Sequence, residues 1–198
     1  MNDNIKKFMS ISIWFTVFLF LIRCALSWAD IKSILETSNM LELCYNFYGF
    51  IGEAIGVSAI GMAIFNKAAW KWLWLRWMHD VPILAPKYNG KLKSDFDGTE
   101  YSGDLIVNQT FLSVSIQFKT NESSSRSVTA TFSNVNSVPY LIYTYQNEPR
   151  ADIQDRSAMH YGTAMLDVSN PMKLEGNYYT GRKTRGSMKF EAVREESR

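Results

Sequence analysis

Cysteine is nearly missing from this sequence. Two residues, Cys24 and Cys44, in 198 are too few for a disulfide framework or a zinc cluster. Histidine is as scarce, with His79 and His160 only. Large blocks of one charge are absent. Lys and Arg number 21 against 19 Asp and Glu, a net charge of +2. That balance excludes a polybasic nucleic-acid arm and an acidic disordered tail, so DNA and RNA are not expected partners. Catalytic signatures are absent too: no Gly-x-Ser-x-Gly elbow, no glycine-rich phosphate loop and no His-rich metal motif. The chain therefore reads as a non-enzyme without cofactor or metal. An aromatic content of 14% excludes disorder.

The apolar residues present are unevenly placed. From Phe8 to Ile22 only Ser10, Ser12 and Thr16 are polar, and the run continues through Cys24 to Trp28. At ~1.5 Å per helical residue it matches a ~30 Å hydrocarbon core. Ala25 and Ser27 loosely resemble a signal-peptide cleavage site, but the fifteen core residues stand at the upper limit for a signal-peptide core, which favours a retained helix over a cleaved leader. A second apolar run, 44–65, carries one charge, Glu53. Between the runs lie Asp30, Lys32, Glu36 and Glu42. Residues 8–28 and 44–65 thus predict a transmembrane hairpin. Lys6 and Lys7 precede it, and Lys67, Lys71 and Arg76 follow. The positive-inside rule then predicts both termini in the cytoplasm. Trp70-Lys71-Trp72-Leu73-Trp74-Leu75-Arg76-Trp77-Met78 reads as a juxtamembrane segment, because indoles and basic groups favour the headgroup zone.

Three divisions follow: residues 1–78 for the membrane part, a Pro-containing linker at 79–86, and a separate domain at 87–198. In the last, Leu112, Val114, Ile116 and Phe118 alternate with polar residues, as do Val128, Ala130 and Phe132. Leu141, Tyr143 and Tyr145 share one face, as do Met188, Phe190 and Ala192. Period-2 alternation is the mark of half-buried strands. Turn signals fall at Asp97-Gly98, Asn121 to Ser125, Asn134 to Pro139, Asn170-Pro171 and Gly181, with a single helical turn expected near Asp152–Ala158. About eight short strands predict an all-β domain, a small antiparallel barrel or sandwich.

Glu53 and Arg23 are the chemically expensive residues of the hairpin. Charges in hydrocarbon need a partner or a role. The pair either fixes hairpin packing or forms a polar element of an assembled pore. Gly52 and Gly56 have the spacing that lets helices approach closely. Two helices cannot line a channel, so a pore needs several copies. In the β domain, Tyr143, Tyr145, His160, Tyr178, Thr180 and Arg182 gather rings, hydroxyls and a cation. Those groups suit a nucleotide's bases and phosphates. The same tyrosines would equally serve as barrel core with hydroxyls at the rim. Arg126, Lys183 and Arg185 are further cations within the domain.

Several dispersed motifs recur in one order: Y-N-G-K-L-K-S-D-F at 88–96, N-Q-T-F at 108–111, L-I-Y-T-Y-Q-N-E-P at 141–149, H-Y-G-T-A at 160–164 and L-E-G-N-Y-Y-T-G-R at 174–182, then Gly186. With the two membrane helices they resemble the two-transmembrane, β-strand-rich effectors of bacterial CBASS anti-phage systems. The resemblance implies a minimal β-barrel that binds a cyclic dinucleotide made by a partner CD-NTase. It also implies a homo-oligomer on activation, disruption of inner-membrane lipid and abortive infection. Location would be the bacterial inner membrane, multi-pass. Competing expectations are a membrane-tethered barrel for lipid or another hydrophobe, and a non-catalytic scaffold.

Overall fold

A computed structural model describes residues 3–37, 39–96, 98–155 and 157–193. It divides into two compact units at the His79/Asp80 boundary.

The first unit is helical. Helix α1 spans Asp3–Leu26, α2 Trp28–Glu36 and α3 Met40–Lys67. Both α1 and α3 are long and apolar enough to cross a membrane. The polar connection between them is itself mostly helical, with Ile31 of α2 buried. Helix α3 begins four residues before the apolar run. Its N-cap is Asn39, whose side chain accepts from Glu42 N–H at 3.3 Å and donates to Glu42 Oε2 at 2.9 Å. That reciprocal cap stabilises the first turn before hydrophobicity begins. The Trp-rich segment forms two short 3-10 turns, Ala69–Lys71 and Leu73–Met78. Trp70 is fully buried and hydrogen-bonds His79 through its carbonyl at 2.8 Å. Leu73, Trp74 and Trp77 are exposed, and the Trp72 and Trp74 rings stack at 5.9 Å.

The second unit is a closed antiparallel barrel in the order β1 to β8. Its strands are β1 Lys87–Ser94, β2 Glu100–Gln109, β3 Val114–Thr120, β4 Ser123–Val135, β5 Val138–Pro149, β6 His160–Asp167, β7 Lys173–Thr180 and β8 Arg185–Ala192. Closure through β1–β8, registered Tyr88 on Ala192 to Ser94 on Gly186, settles barrel against sandwich. Closure needs sharp coiling, and inward glycines permit it. A Cβ on Gly90 would lie 2.1 Å from the Lys189 carbonyl oxygen, so only glycine lets β1 and β8 approach there.

Several expectations shift. Leu112 lies outside β3, and Phe111 is the buried residue of the β2–β3 turn. Val128 leaves the face of Ala130 and Phe132, because a β-bulge between Ser127 and Thr129 turns it outward. Ser123 to Ser125 belong to β4, which leaves Asn121-Glu122 as the turn. The β4–β5 turn is Asn136-Ser137, both at positive φ (50° and 67°), as a type I′ hairpin requires. Gly98 has φ 71°, and Asp97 of that predicted turn lies outside the described residues. A 3-10 turn covers Ala151–Ile153, and Arg156 of the predicted helical turn also lies outside them.

The barrel interior is graded. One end holds Tyr88, Leu105, Leu141, Leu166, Leu174 and Phe190, all buried. Phe118 meets Phe190 edge-on at 5.3 Å. Each such side chain contributes roughly 1.5–3 kcal/mol on burial. The Tyr88 hydroxyl accepts from Ala85 N–H (2.8 Å) and donates to the Pro171 carbonyl (2.7 Å). At the opposite end the inward positions become polar: Ser94, Asn147 and Thr180 are buried there.

Candidate ligand-binding site

The polar end is where the chain assembles its chemistry. β5 ends there with Tyr143, Tyr145 and Asn147 pointing inward. β6 begins there with His160 and Gly162, and β7 ends there with Tyr178 and Thr180. The ladders register Asn147 on His160, Tyr145 on Gly162 and Gly162 on Thr180. Five of the sequence-proposed residues, Tyr145, His160, Tyr178, Thr180 and Arg182, thus come from three adjacent strands and one turn. Tyr143 sits one layer deeper, 5.9 Å from the Tyr145 ring, with its hydroxyl 3.9 Å from Met188 Sδ.

Gly162 makes room for Tyr145. A Cβ there would fall 2.5 Å from both Cζ and the hydroxyl of Tyr145. Thr180 pairs with Thr184 across the tight β7–β8 turn at 2.7 Å. That turn, with Lys183 at φ 64°, brings Arg182 close enough for its charge to act on Tyr145 and His160. Arg182 Nη2 donates to Ser157 Oγ at 3.3 Å, a contact with a hydroxyl rather than a carboxylate. His160 Nδ1 lies 3.0 Å from the Ala158 carbonyl.

Electrostatics favour an anion here. Burial, then the neighbouring Tyr178, pushes the Tyr145 phenol well up, and Arg182 opposes this. Burial and then Tyr145 push Tyr143 up. Both phenols are neutral donors at neutral pH. Burial holds His160 below its ordinary value, the Ala158 hydrogen bond counters this, and Arg182 adds to the depression. A cation, a neutral imidazole and the buried phenols of Tyr145 and Tyr178 therefore share the barrel end. They can pair with phosphate oxygens and stack on bases.

Sequence reasoning missed Ser125, Asn147 and Ser157. Ser125 Oγ donates to Asn147 Oδ1 at 2.8 Å. Asn147 continues the Leu141-Tyr143-Tyr145 alternation by one step, so the pattern contained it. Ser157 carries no such signal.

The outer wall differs. A shallow groove of about 870 Å³ runs over β1, β2, β7 and β8, with Lys91, Lys93, Glu100, Lys173, Glu175 and Lys189 along it. Its charges largely neutralise each other: Lys91–Glu100 (3.1 Å), Lys173–Glu191 (3.0 Å) and Lys189–Glu175 (3.4 Å). Arg185 is also committed, 3.4 Å from Asp95. Exposed pairs of this kind contribute little stability, but they leave less positive field for an anion than the Arg182 end.

In the hairpin, Arg23 Nε meets Glu53 Oε2 at 2.5 Å. The same guanidinium donates to Ser27 Oγ and lies 4.5 Å from the Phe50 ring centroid. Thr16 and the buried Ser58 make a second interhelical bond at 2.7 Å. Gly52 and Gly56, by contrast, face open space. The close-approach glycine within the hairpin is Gly61, where a Cβ would lie 2.7 Å from the Phe15 ring.

Comparison with known proteins matches residues 79–192 to the family described as Cap15, cyclic dinucleotide receptor domain. The chain is 25% identical over 195 residues to CD-NTase-associated protein 15 of Staphylococcus schleiferi, covering 98% of this chain and 100% of that protein. It is 29% identical over 195 residues to the Yersinia aleksiciae protein of the same name, covering 94% and 90%. A redesigned beta barrel is similar over 56% of this chain and 92% of its own, with 7% identity and a TM-score of 0.44. With a match that spans more than half the chain and lies over the barrel just described, the protein belongs to the Cap15 family of CBASS effectors, and its barrel is a cyclic dinucleotide receptor domain.

Proposed function

We propose that the polar barrel end takes the cyclic dinucleotide of a cognate CD-NTase. The observation that carries this reading is the convergence of Tyr145, His160, Tyr178, Thr180 and Arg182 on one rim. In it, Arg182 pairs with a phosphate, exchanging Ser157 for a charged acceptor, which is the stronger bond. Tyr178 and Tyr145 offer ring faces and hydroxyls to the bases. Thr180 and His160 supply further polar contacts, and Tyr143 backs Tyr145 from below. The role is binding, with no bond made or broken.

Helices α1 and α3 cross the inner membrane with both termini cytoplasmic, which places the barrel beside the cytosolic source of ligand. Ligand binding favours an assembled state by as much as it prefers that state over the monomer. Assembly brings several hairpins together, the bilayer is breached, and the infected cell dies before phage release. The Arg23–Glu53 pair and the unfilled Gly52–Gly56 face support a hairpin built to meet others.

Dye release from liposomes holding the full chain tests this reading. Cyclic di-AMP, cyclic di-GMP, cyclic GMP–AMP and cyclic di-UMP are added in turn. One of them releases dye if the reading holds. A nucleotide that binds the protein without causing release refutes membrane disruption.

A further inference from the structure

The barrel is closed, but one of its ladders is short. β4 has thirteen residues, yet only Ser124, Ser125 and Arg126 register with β3. Beyond them Ser127 replaces backbone by side chain, its Oγ accepting from Ile116 N–H at 2.9 Å. Val128 then bulges out. Among the described residues, 129–135 register with β5 and with no strand on their other side, and Val128 is the unpaired residue of the bulge. The two-residue turn makes Val135–Val138 the closing hydrogen-bonded pair. By antiparallel alternation, Ala130, Phe132 and Asn134 therefore point N–H and C=O away from β5. Such a row is a template for another strand.

We propose that this edge, residues 128–135, pairs antiparallel with the same edge of a second copy of the chain. The edge is its own complement. Its sequence, V-T-A-T-F-S-N-V, has no charge and no proline, so neither like-charge repulsion nor a missing donor opposes self-pairing. A two-fold axis at Thr131 sets Thr131 against Thr131 and Thr129 against Ser133, hydroxyl beside hydroxyl, on the outer face. On the other face it sets Ala130 against Phe132, two half-buried residues that pack on the barrel core. Two eight-residue strands bury much less than the ~1,200 Å² at which stable interfaces begin. The contact is therefore weak between free chains and becomes significant when a membrane or another contact raises local concentration. This supplies a barrel contact for the ligand-driven assembly proposed above, on which it rests.

Exposed Thr131 provides the test, because a charge there leaves the barrel core and the ligand end untouched. Full chains fused to donor or acceptor fluorophores are placed in liposomes with the same four cyclic dinucleotides, and energy transfer reads assembly. Thr131→Lys and Thr131→Glu each raise the ligand concentration for half-maximal transfer by about tenfold, since like charges then face each other. An equimolar mixture of the two returns it to near the wild-type value. Calorimetric affinity in detergent stays within about twofold for both, which shows that the barrel is folded. Charged variants that assemble like wild type, or a mixture that fails to recover, overturn the edge pairing while leaving assembly in place. A wild-type chain that binds a nucleotide without any transfer refutes ligand-driven assembly and the edge pairing with it.

Discussion

Gly162 ties the fold to the site, and replacing it by alanine gives a prediction with a sign. In most strands Gly→Ala stabilises by about 0.4–1 kcal/mol, because the unfolded chain loses freedom. Here the new methyl would stand 2.5 Å from the Tyr145 ring and hydroxyl and 2.9 Å from the Tyr179 carbonyl oxygen. Overpacking of that kind costs about 1–3 kcal/mol. The net expectation is a loss of about 1–2 kcal/mol, or roughly 4–8 °C in the thermal midpoint of a domain this size. Ligand affinity falls about tenfold as well, because the displaced ring is one that the proposed site offers to the bases. Thermal unfolding by circular dichroism and calorimetric titration of the full chain measure the two effects. Tyr145→Ala completes a cycle. With the ring gone, adding Gly162→Ala costs at least about 1 kcal/mol less than it does in the wild type. A Gly162→Ala variant with a raised midpoint and unchanged affinity would refute the packing argument.

Other outcomes follow from the same contacts. His160 is held below its ordinary value by burial, so the unfolded chain takes up its proton first as pH falls. Barrel stability is therefore complete above about pH 6.5 and declines below it, and His160→Gln flattens that decline in pH-dependent unfolding curves. A bound dianion raises the His160 pKa, so binding takes up protons, read by calorimetry in buffers of different ionisation enthalpy. In the hairpin, Glu53→Ala leaves Arg23 without its carboxylate and reduces liposome dye release while nucleotide affinity is unchanged. Gly61→Leu collides with Phe15 and lowers the yield of folded hairpin, whereas Gly52→Leu, facing open space, does not.

Much of the barrel was legible because alternation records burial directly. Leu141, Tyr143, Tyr145, Met188 and Phe190 all point inward as their spacing requires. The failures are local. A bulge inserts one residue and reverses parity, which placed Val128 on the wrong face. Leu112 extends an apolar series past the strand, and turn geometry buries Phe111 in its place. The helix between the two long apolar helices was hidden by its polar residues, although Ile31 anchors it. At the candidate site, residue types exposed the strand-borne members, since aromatic and hydroxyl side chains clustered near strand ends. They did not show depth, so Tyr143 and Tyr145 looked equivalent although both are buried and Tyr143 lies one layer deeper. Ser157 was invisible because its contact with Arg182 crosses from one loop to another, and no periodicity encodes that. Glycine roles were also mixed in sequence. The G-x-x-x-G spacing singled out Gly52 and Gly56, whereas hairpin contact is made at Gly61, whose neighbour Phe15 lies on the other helix.

The central claim is that the polar barrel end, through Arg182, binds a cyclic dinucleotide. Calorimetric titration of the full chain in detergent with the four nucleotides, for wild type and Arg182→Ala, tests it most directly. The account predicts saturable one-site binding of at least one nucleotide by the wild type. Arg182→Ala weakens that binding at least about tenfold, the worth of a charge-assisted hydrogen bond of roughly 1.5–3 kcal/mol. Equal affinity in wild type and variant would contradict it.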